Sequence, residues 1–152
     1  MAMPAILFNT RKTVRQEQSG ATIDQRLGAG DRLRASVYLG DRQVRQYQSI
    51  PLAAQNAATA SGGVVDLERS FGGLSLNWIH DGTLAGRPLS ITGGLEQERM
   101  QERRRGFINN FGALGALKRD EDDRVESTNL FGQADWRFAE RASATLGLRR
   151  TL

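Results

Sequence analysis

Apolar and polar residues alternate with a period of two along much of the chain, the pattern of strands that bury one side only. The clearest run follows Arg32. Leu33, Ala35, Val37 and Leu39 share one face, with Arg34, Ser36 and Tyr38 opposite. Ahead of it, residues 16–27 set Ala21, Ile23 and Leu27 against Thr22, Asp24 and Arg26. The intervening Gly28-Ala29-Gly30-Asp31 reads as a tight turn, because glycine adopts positive φ without steric penalty. Parity across that turn places Ile23 and Leu27 on the face of Leu33 and Val37.

Residues 48–63, rich in Ala, Gln, Asn, Ser and Gly and containing Pro51, read as a long loop. A third strand then runs to Asp81, with Leu74, Leu76 and Trp78 alternating with Ser75 and Asn77. Asp81-Gly82 opens a short connection ending at Arg87-Pro88. The fourth strand sets Leu89, Ile91 and Leu95 against Ser90, Thr92 and Glu96. Residues 96–105 are strong helix formers with Glu–Arg pairs at helical spacing. A strand is nevertheless expected there, since nothing caps a helix after Leu95. Residues 106–125, which include Asp120-Glu121-Asp122-Asp123, read as a second long polar loop. In the fifth strand Leu130, Gly132, Ala134, Trp136 and Phe138 share a face against Phe131, Gln133, Asp135 and Arg137. After a turn at Ala139-Glu140-Arg141, the sixth sets Ala144, Leu146 and Leu148 against Ser143, Thr145 and Arg149.

The expected fold is therefore all-β, about six antiparallel strands in three hairpins, joined by connections that run short, long, short, long, short. Bacterial outer-membrane barrels combine short periplasmic turns with long outer loops, and cross the membrane on strands of about ten alternating residues. The chain is thus expected to form part of such a barrel. The faces of Ile23, Leu33, Val37, Leu39, Leu74, Leu76, Trp78, Ile91, Leu130, Trp136, Phe138, Leu146 and Leu148 would then meet lipid. Trp78, Trp136 and Phe138 stand just before short connections, as an interfacial aromatic girdle does. The alternative is a soluble antiparallel sheet whose apolar faces pack on each other and which binds an anionic ligand.

Composition narrows the chemistry. Only 39% of residues are apolar, and no run approaches the roughly 18–20 needed for a membrane helix. The net charge of +4 is carried by scattered arginines, not by the clustered patch of a nucleic-acid binder, so no nucleic-acid partner is expected. The absence of cysteine excludes disulfides and thiolate chemistry, and the single histidine, His80, makes a His-based triad or metal centre implausible. Asp24, Asp66 and Glu68 suggest no paired geometry. No catalytic constellation, metal site or cofactor is expected, and the protein is not read as an enzyme. Arg103-Arg104-Arg105 is the one candidate for contact with an anion such as a ferric chelate or lipopolysaccharide phosphate.

Four stretches resemble the TonB-dependent outer-membrane receptor family: residues 9–20; Phe71-Gly72-Gly73-Leu74; residues 126–138, containing Asn129-Leu130-Phe131-Gly132-Gln133; and Thr145-Leu146-Gly147-Leu148-Arg149. The resemblance covers most of the chain, from about Thr10 to Arg150, through degenerate motifs. It implies a receptor that imports a ferric siderophore or similar scarce nutrient, energised through TonB, with a plugged barrel of about 22 strands. It assigns residues 1–15 to an N-terminal segment and 16–152 to part of the barrel wall, in the outer membrane. No TonB box, plug domain, signal peptide or closing terminal aromatic is read in the sequence. About six strands also fall short of the ~8 of the smallest closed barrels. The expectation is a fragment that does not transport by itself, that reaches TonB only through its parent receptor, and that self-associates through open strand edges.

Overall fold

The computed structural model describes residues 5–152. Six strands form one antiparallel sheet in the order of the sequence. They are β1 (Arg11–Arg26), β2 (Asp31–Tyr47), β3 (Val64–Leu84), β4 (Arg87–Asn110), β5 (Ala113–Ala139) and β6 (Ala142–Thr151), with one short helix, α1 (Leu52–Gln55), between β2 and β3. The sheet is not closed; β1 and β6 are its edges. The all-β, six-strand expectation holds, and residues 96–105 are strand, within β4.

Two expectations fail at the connections. Residues 106–125 are not a loop: β4 runs to Asn110, β5 starts at Ala113, and the turn is only Phe111-Gly112. Both turn residues carry positive φ, 49° and 91°, as a type I′ hairpin turn requires. The polar composition was misleading because this stretch needs no apolar face. Its strands are tied by cross-strand ion pairs such as Arg103–Asp120. The connection after β3 is likewise only Ala85-Gly86, again with two positive φ angles, and Asp81-Gly82 lies inside the strand. Of the expected long loops only residues 48–63 remain, where α1 sits.

The chain divides into two compact units. Unit 1 comprises residues up to Gln18, Gly40–Phe71 and Met100–Val125; unit 2 comprises Ser19–Leu39, Gly72–Arg99 and Glu126–Leu152. In unit 1 a small core gathers around Phe8 and Val64, both fully buried, and Tyr47. Phe8 stacks on Phe111 at 5.4 Å, and the Arg11 guanidinium lies 3.5 Å over the Tyr47 ring. The polar centre is Asn109, which is 0% exposed. Its amide donates to the carbonyls of Phe8 (2.9 Å) and Gln48 (3.0 Å), and its Oδ1 accepts from the backbone N–H of Gly112 (2.7 Å). Its own backbone N–H donates to Gln55 Oε1 at 2.6 Å. Gln55, also buried, donates to the carbonyls of Ile50 and Asn109. Satisfying these groups matters because a buried, unpaired one costs about 1–3 kcal/mol.

In unit 2 cross-strand contacts fix the register. Thr22 meets Ser36 (3.0 Å), and Arg34 donates to Asp24 at 2.7 Å. The N–H of Asp81 donates to the carbonyl of Gly30 at 2.7 Å. Gly30, at φ 92°, comes so close that a Cβ there would stand 2.3 Å from the Asp81 carbonyl. Ser90 donates to Asp81 at 2.7 Å. Between β5 and β6 the pairing runs from Asn129↔Thr151 to Trp136↔Ala144, with a bulge before Ala139↔Ala142. Since side chains alternate, Ile23 faces away from the Thr22–Ser36 and Asp24–Arg34 pairs, with Leu33, Val37 and Leu39. For Ile23 this is the parity expected across the first turn; Leu27 lies beyond the end of β1.

On the polar face of unit 2, rings lie over glycines of neighbouring strands. A Cβ at Gly73 would stand 2.7 Å from the Tyr38 ring, and one at Gly94 would stand 2.5 Å from the ring of Phe131. Over Gly73, Tyr38 reaches β4 and donates to Glu98 at 2.9 Å. Gly73→Val is therefore expected to expel the ring and destabilise the fold by about 1–3 kcal/mol. Gly93→Ala, where a Cβ meets nothing within 4 Å, should be nearly neutral. Equal shifts of the two variants' denaturant midpoints would contradict this packing.

Candidate functional site

The feature of unit 2 with a functional meaning is the contrast between its faces. Exposed on one are Ile23, Val37, Leu39, Leu74, Leu76, Trp78, Leu130, Phe138, Leu146 and Leu148, with Leu146 at 72% and Leu148 at 79%. Leu33, Ile91 and Trp136, of the same expected set, are half-buried. A soluble monomer seldom exposes a contiguous apolar patch beyond a few hundred Å². Each such side chain yields about 1.5–3 kcal/mol when fully withdrawn from water.

Near the short turns of unit 2 this face ends in aromatic residues with polar handles. Trp78 stacks on His80 at 5.8 Å. The Trp78 indole N–H (3.1 Å) and His80 Nδ1 (2.9 Å) both meet Asp31 Oδ1. Trp136 packs on Phe138 at 5.8 Å and donates its indole N–H to the carbonyl of Leu84 at 3.3 Å. Rings that are apolar on one side and hydrogen-bonded on the other suit a boundary between hydrocarbon and water. The partnership of Asp31, His80 and Trp78 was not anticipated; only the β2–β3 register brings positions 31, 78 and 80 together.

The opposite face is polar and laterally bonded. Thr145 donates to Asp135 (2.6 Å), Thr151 to Asn129 (2.7 Å) and Arg149 to Glu96 (3.0 Å). A small cavity of about 250 Å³ is lined by Ser36, Tyr38, Ser75, Glu96, Glu98 and Arg149 among others.

Unit 1 carries the charged residues singled out in the sequence. Strand alternation splits the arginine triplet. Arg103 forks onto Asp120, Nε to Oδ1 at 3.0 Å and Nη2 to Oδ2 at 2.8 Å. Arg105 donates to Glu68 at 2.8 Å and stands 3.4 Å from Asp66. Arg104, exposed, takes the other face. Asp66, only 6% exposed, also accepts from Arg45 at 2.7 Å, so it lies between two guanidiniums. Arg69 pairs with Glu102. The acidic residues Asp24, Asp66 and Glu68, which suggested no partner in the sequence, are thus each matched to an arginine on an adjacent strand. A groove of about 530 Å³ is lined by Arg42, Arg69, Arg103 and Arg124 but equally by Asp41, Glu68, Glu102, Asp122 and Asp123. Its charges are mixed. Among the described residues no three His, Asp or Glu side chains converge as metal ligands. No helix of the described residues is long and apolar enough to cross a membrane.

No family model matches the chain.

The hydrogen bond from Arg103 holds the Asp120 carboxyl below its usual range, aided by its charge and that of Arg105. Because the folded value is depressed, any stabilisation is present above the ordinary carboxylate range and is lost as pH falls through the lowered value. Arg103→Gln is expected to return Asp120 towards the ordinary value of about 3.9. Carboxyl-carbon NMR titration would detect this; an unchanged midpoint would mean the fork does not form in solution.

Proposed function

We propose that this chain contributes a section of wall to an outer-membrane β-barrel, with the Leu146 face towards lipid and the Tyr38–Glu98 face towards a wet lumen. The observation that carries the reading is the two-faced sheet of unit 2. One side exposes a broad apolar surface that ends, towards the short turns, in aromatic rings; the other side's polar groups bond to one another across strands. An outer-membrane strand alternates in this way. The two-residue Ala85-Gly86 turn suits the periplasmic end of such a hairpin and the 48–63 connection its outer end; the two-residue Phe111-Gly112 turn is shorter than an outer loop of that kind.

On the resemblance described above, the parent assembly is a TonB-dependent receptor for a ferric siderophore or another scarce nutrient, and this section supplies wall. Contact with TonB belongs to the complete receptor. The soluble anion-binding alternative has less support. Its best candidates, Arg103 and Arg105, already engage carboxylates, and nothing in unit 2 covers the apolar face.

Two measurements test the reading. The chain's only tryptophans, Trp78 and Trp136, should lose fluorescence in vesicles of brominated phosphatidylcholine relative to unbrominated ones; no quenching would defeat the lipid assignment. Leu146→Arg should destabilise the inserted state by about 2–4 kcal/mol if the residue lies near the midplane, with Thr145→Arg far milder. Equal effects of the two substitutions in a bilayer unfolding assay would refute the assignment of faces.

A further inference from the structure

The cavity of about 250 Å³ on the polar face of unit 2 is assembled from several strands. Ser36 and Tyr38 come from β2, Ser75 from β3, Glu96 and Glu98 from β4, and Arg149 from β6. Two restraints hold its polar groups in place. The Tyr38 ring lies over Gly73, and its hydroxyl donates to Glu98 Oε1 at 2.9 Å. Arg149 Nη2 donates to Glu96 Oε2 at 3.0 Å. Both carboxylates are thereby aimed, yet each keeps a second oxygen able to accept, and the Arg149 guanidinium keeps further N–H groups able to donate. Phe131, the register partner of Arg149, extends the surface with a second ring, laid over Gly94.

We infer that this cavity binds a neutral, hydroxyl-rich solute, a sugar ring, on the lumen side of the wall. The inference rests on the reading of that face as the wet one, and it gives a chemical class to the solute that the wall meets. A sugar asks two things of a protein surface. The first is an aromatic face, because its C–H groups carry partial positive charge and the π face of a ring is negative. A ring with one side against a glycine strand turns its other side outward, and Tyr38 does so at the cavity wall. The second is planar groups that meet neighbouring hydroxyls two at a time: a carboxylate accepts from them, and a guanidinium donates to their oxygens. Glu96, Glu98 and Arg149 are such groups, and they are already oriented by the bonds among them, so little ordering is left to oppose binding. Charge disfavours the nearest alternatives. Two carboxylates against one guanidinium leave the lining net negative, which opposes an anionic chelate. A cation would have to lie beside Arg149, and no three carboxylate or imidazole groups converge on a metal position among the described residues.

The test uses the whole chain in phosphatidylcholine vesicles, which carry no sugar headgroup. Glucose and maltose are offered in turn, with gallium citrate and choline as the anionic and cationic comparisons. Saturation-transfer NMR reads contact between the protein's aromatic protons and the C–H protons of each solute. At least one sugar should receive saturation, and gallium citrate and choline should not. Glu96→Gln and Tyr38→Leu should each weaken sugar binding about ten-fold, the loss expected on removing one hydrogen bond to a charged group or one stacking face. Tyr38→Phe keeps the ring over Gly73 and should cost less than Tyr38→Leu. Leu148→Ala, on the opposite face, should change nothing. Tryptophan quenching by brominated lipid is read on every variant and shows that the sheet is still inserted. Quenching with neither sugar bound overturns the inference and leaves the lipid-facing reading intact. Binding unaffected by both Glu96→Gln and Tyr38→Leu, or saturation of gallium citrate or choline in place of the sugars, overturns it as well. If quenching is lost in the unsubstituted chain, the lipid-facing reading falls and this inference falls with it.

Discussion

Everything in unit 2 depends on strand register. Side chains alternate with a period of two, so a slip of one residue between any two neighbours would carry one strand's leucines to the polar side and its charges to the apolar side. The structure pins each hairpin by contacts that tolerate no such slip. Thr22 and Asp24 are matched to Ser36 and Arg34, the Gly30 carbonyl to the Asp81 N–H, Ser90 to Asp81, and Asp135 to Thr145. These pairs are mostly exposed, and each contributes little to stability alone. Their importance is that they discriminate: a slip at any one pairing loses the contacts of that pairing and turns a strand's charges to the apolar face.

The glycines act with these pairs. A ring can lie flat on a strand only where the strand offers no Cβ, and Gly73 and Gly94 provide such places beneath Tyr38 and Phe131. The aromatic rings are thereby accommodated on the polar face without projecting from it, and Tyr38 spans three strands to reach Glu98. Small and large residues alternate across strands here because the backbone must be approached closely, not because a core demands it.

The sequence made the apolar half of the fold readable and left the polar half obscure. Where one face had to be apolar, as at Leu33 to Leu39 or Leu130 to Phe138, alternation identified the strand and its facing. Where both faces carry polar groups, as at positions 106–125, no periodicity was available and loop-like composition prevailed. The turn signal was present in Phe111-Gly112, but a Phe-Gly pair is weaker than Asn-Gly. The ion pairs were hidden for a related reason. Arg45, Asp66 and Arg105 are far apart in sequence, and they adjoin only after the β2–β3 and β3–β4 registers are set. Asn109 and Gln55 gave no sign of burial, since amides are usually exposed and their role depends on which carbonyls lie nearby.

Asn109 also bears on the order in which the protein assembles. Its side chain bonds a carbonyl 101 positions earlier, at Phe8, and another 61 earlier, at Gln48. Unit 1 is stitched from three separated stretches of chain, so its polar centre cannot form until the turn after Asn110 has been synthesised. Until then Phe8 and the 48–63 connection have no Asn109 to hold them. Such distant closures are slow, because loop entropy is lost before the contacts that offset it are made. The time before that closure is when unit 1's constituent strands are most open to capture by another chain.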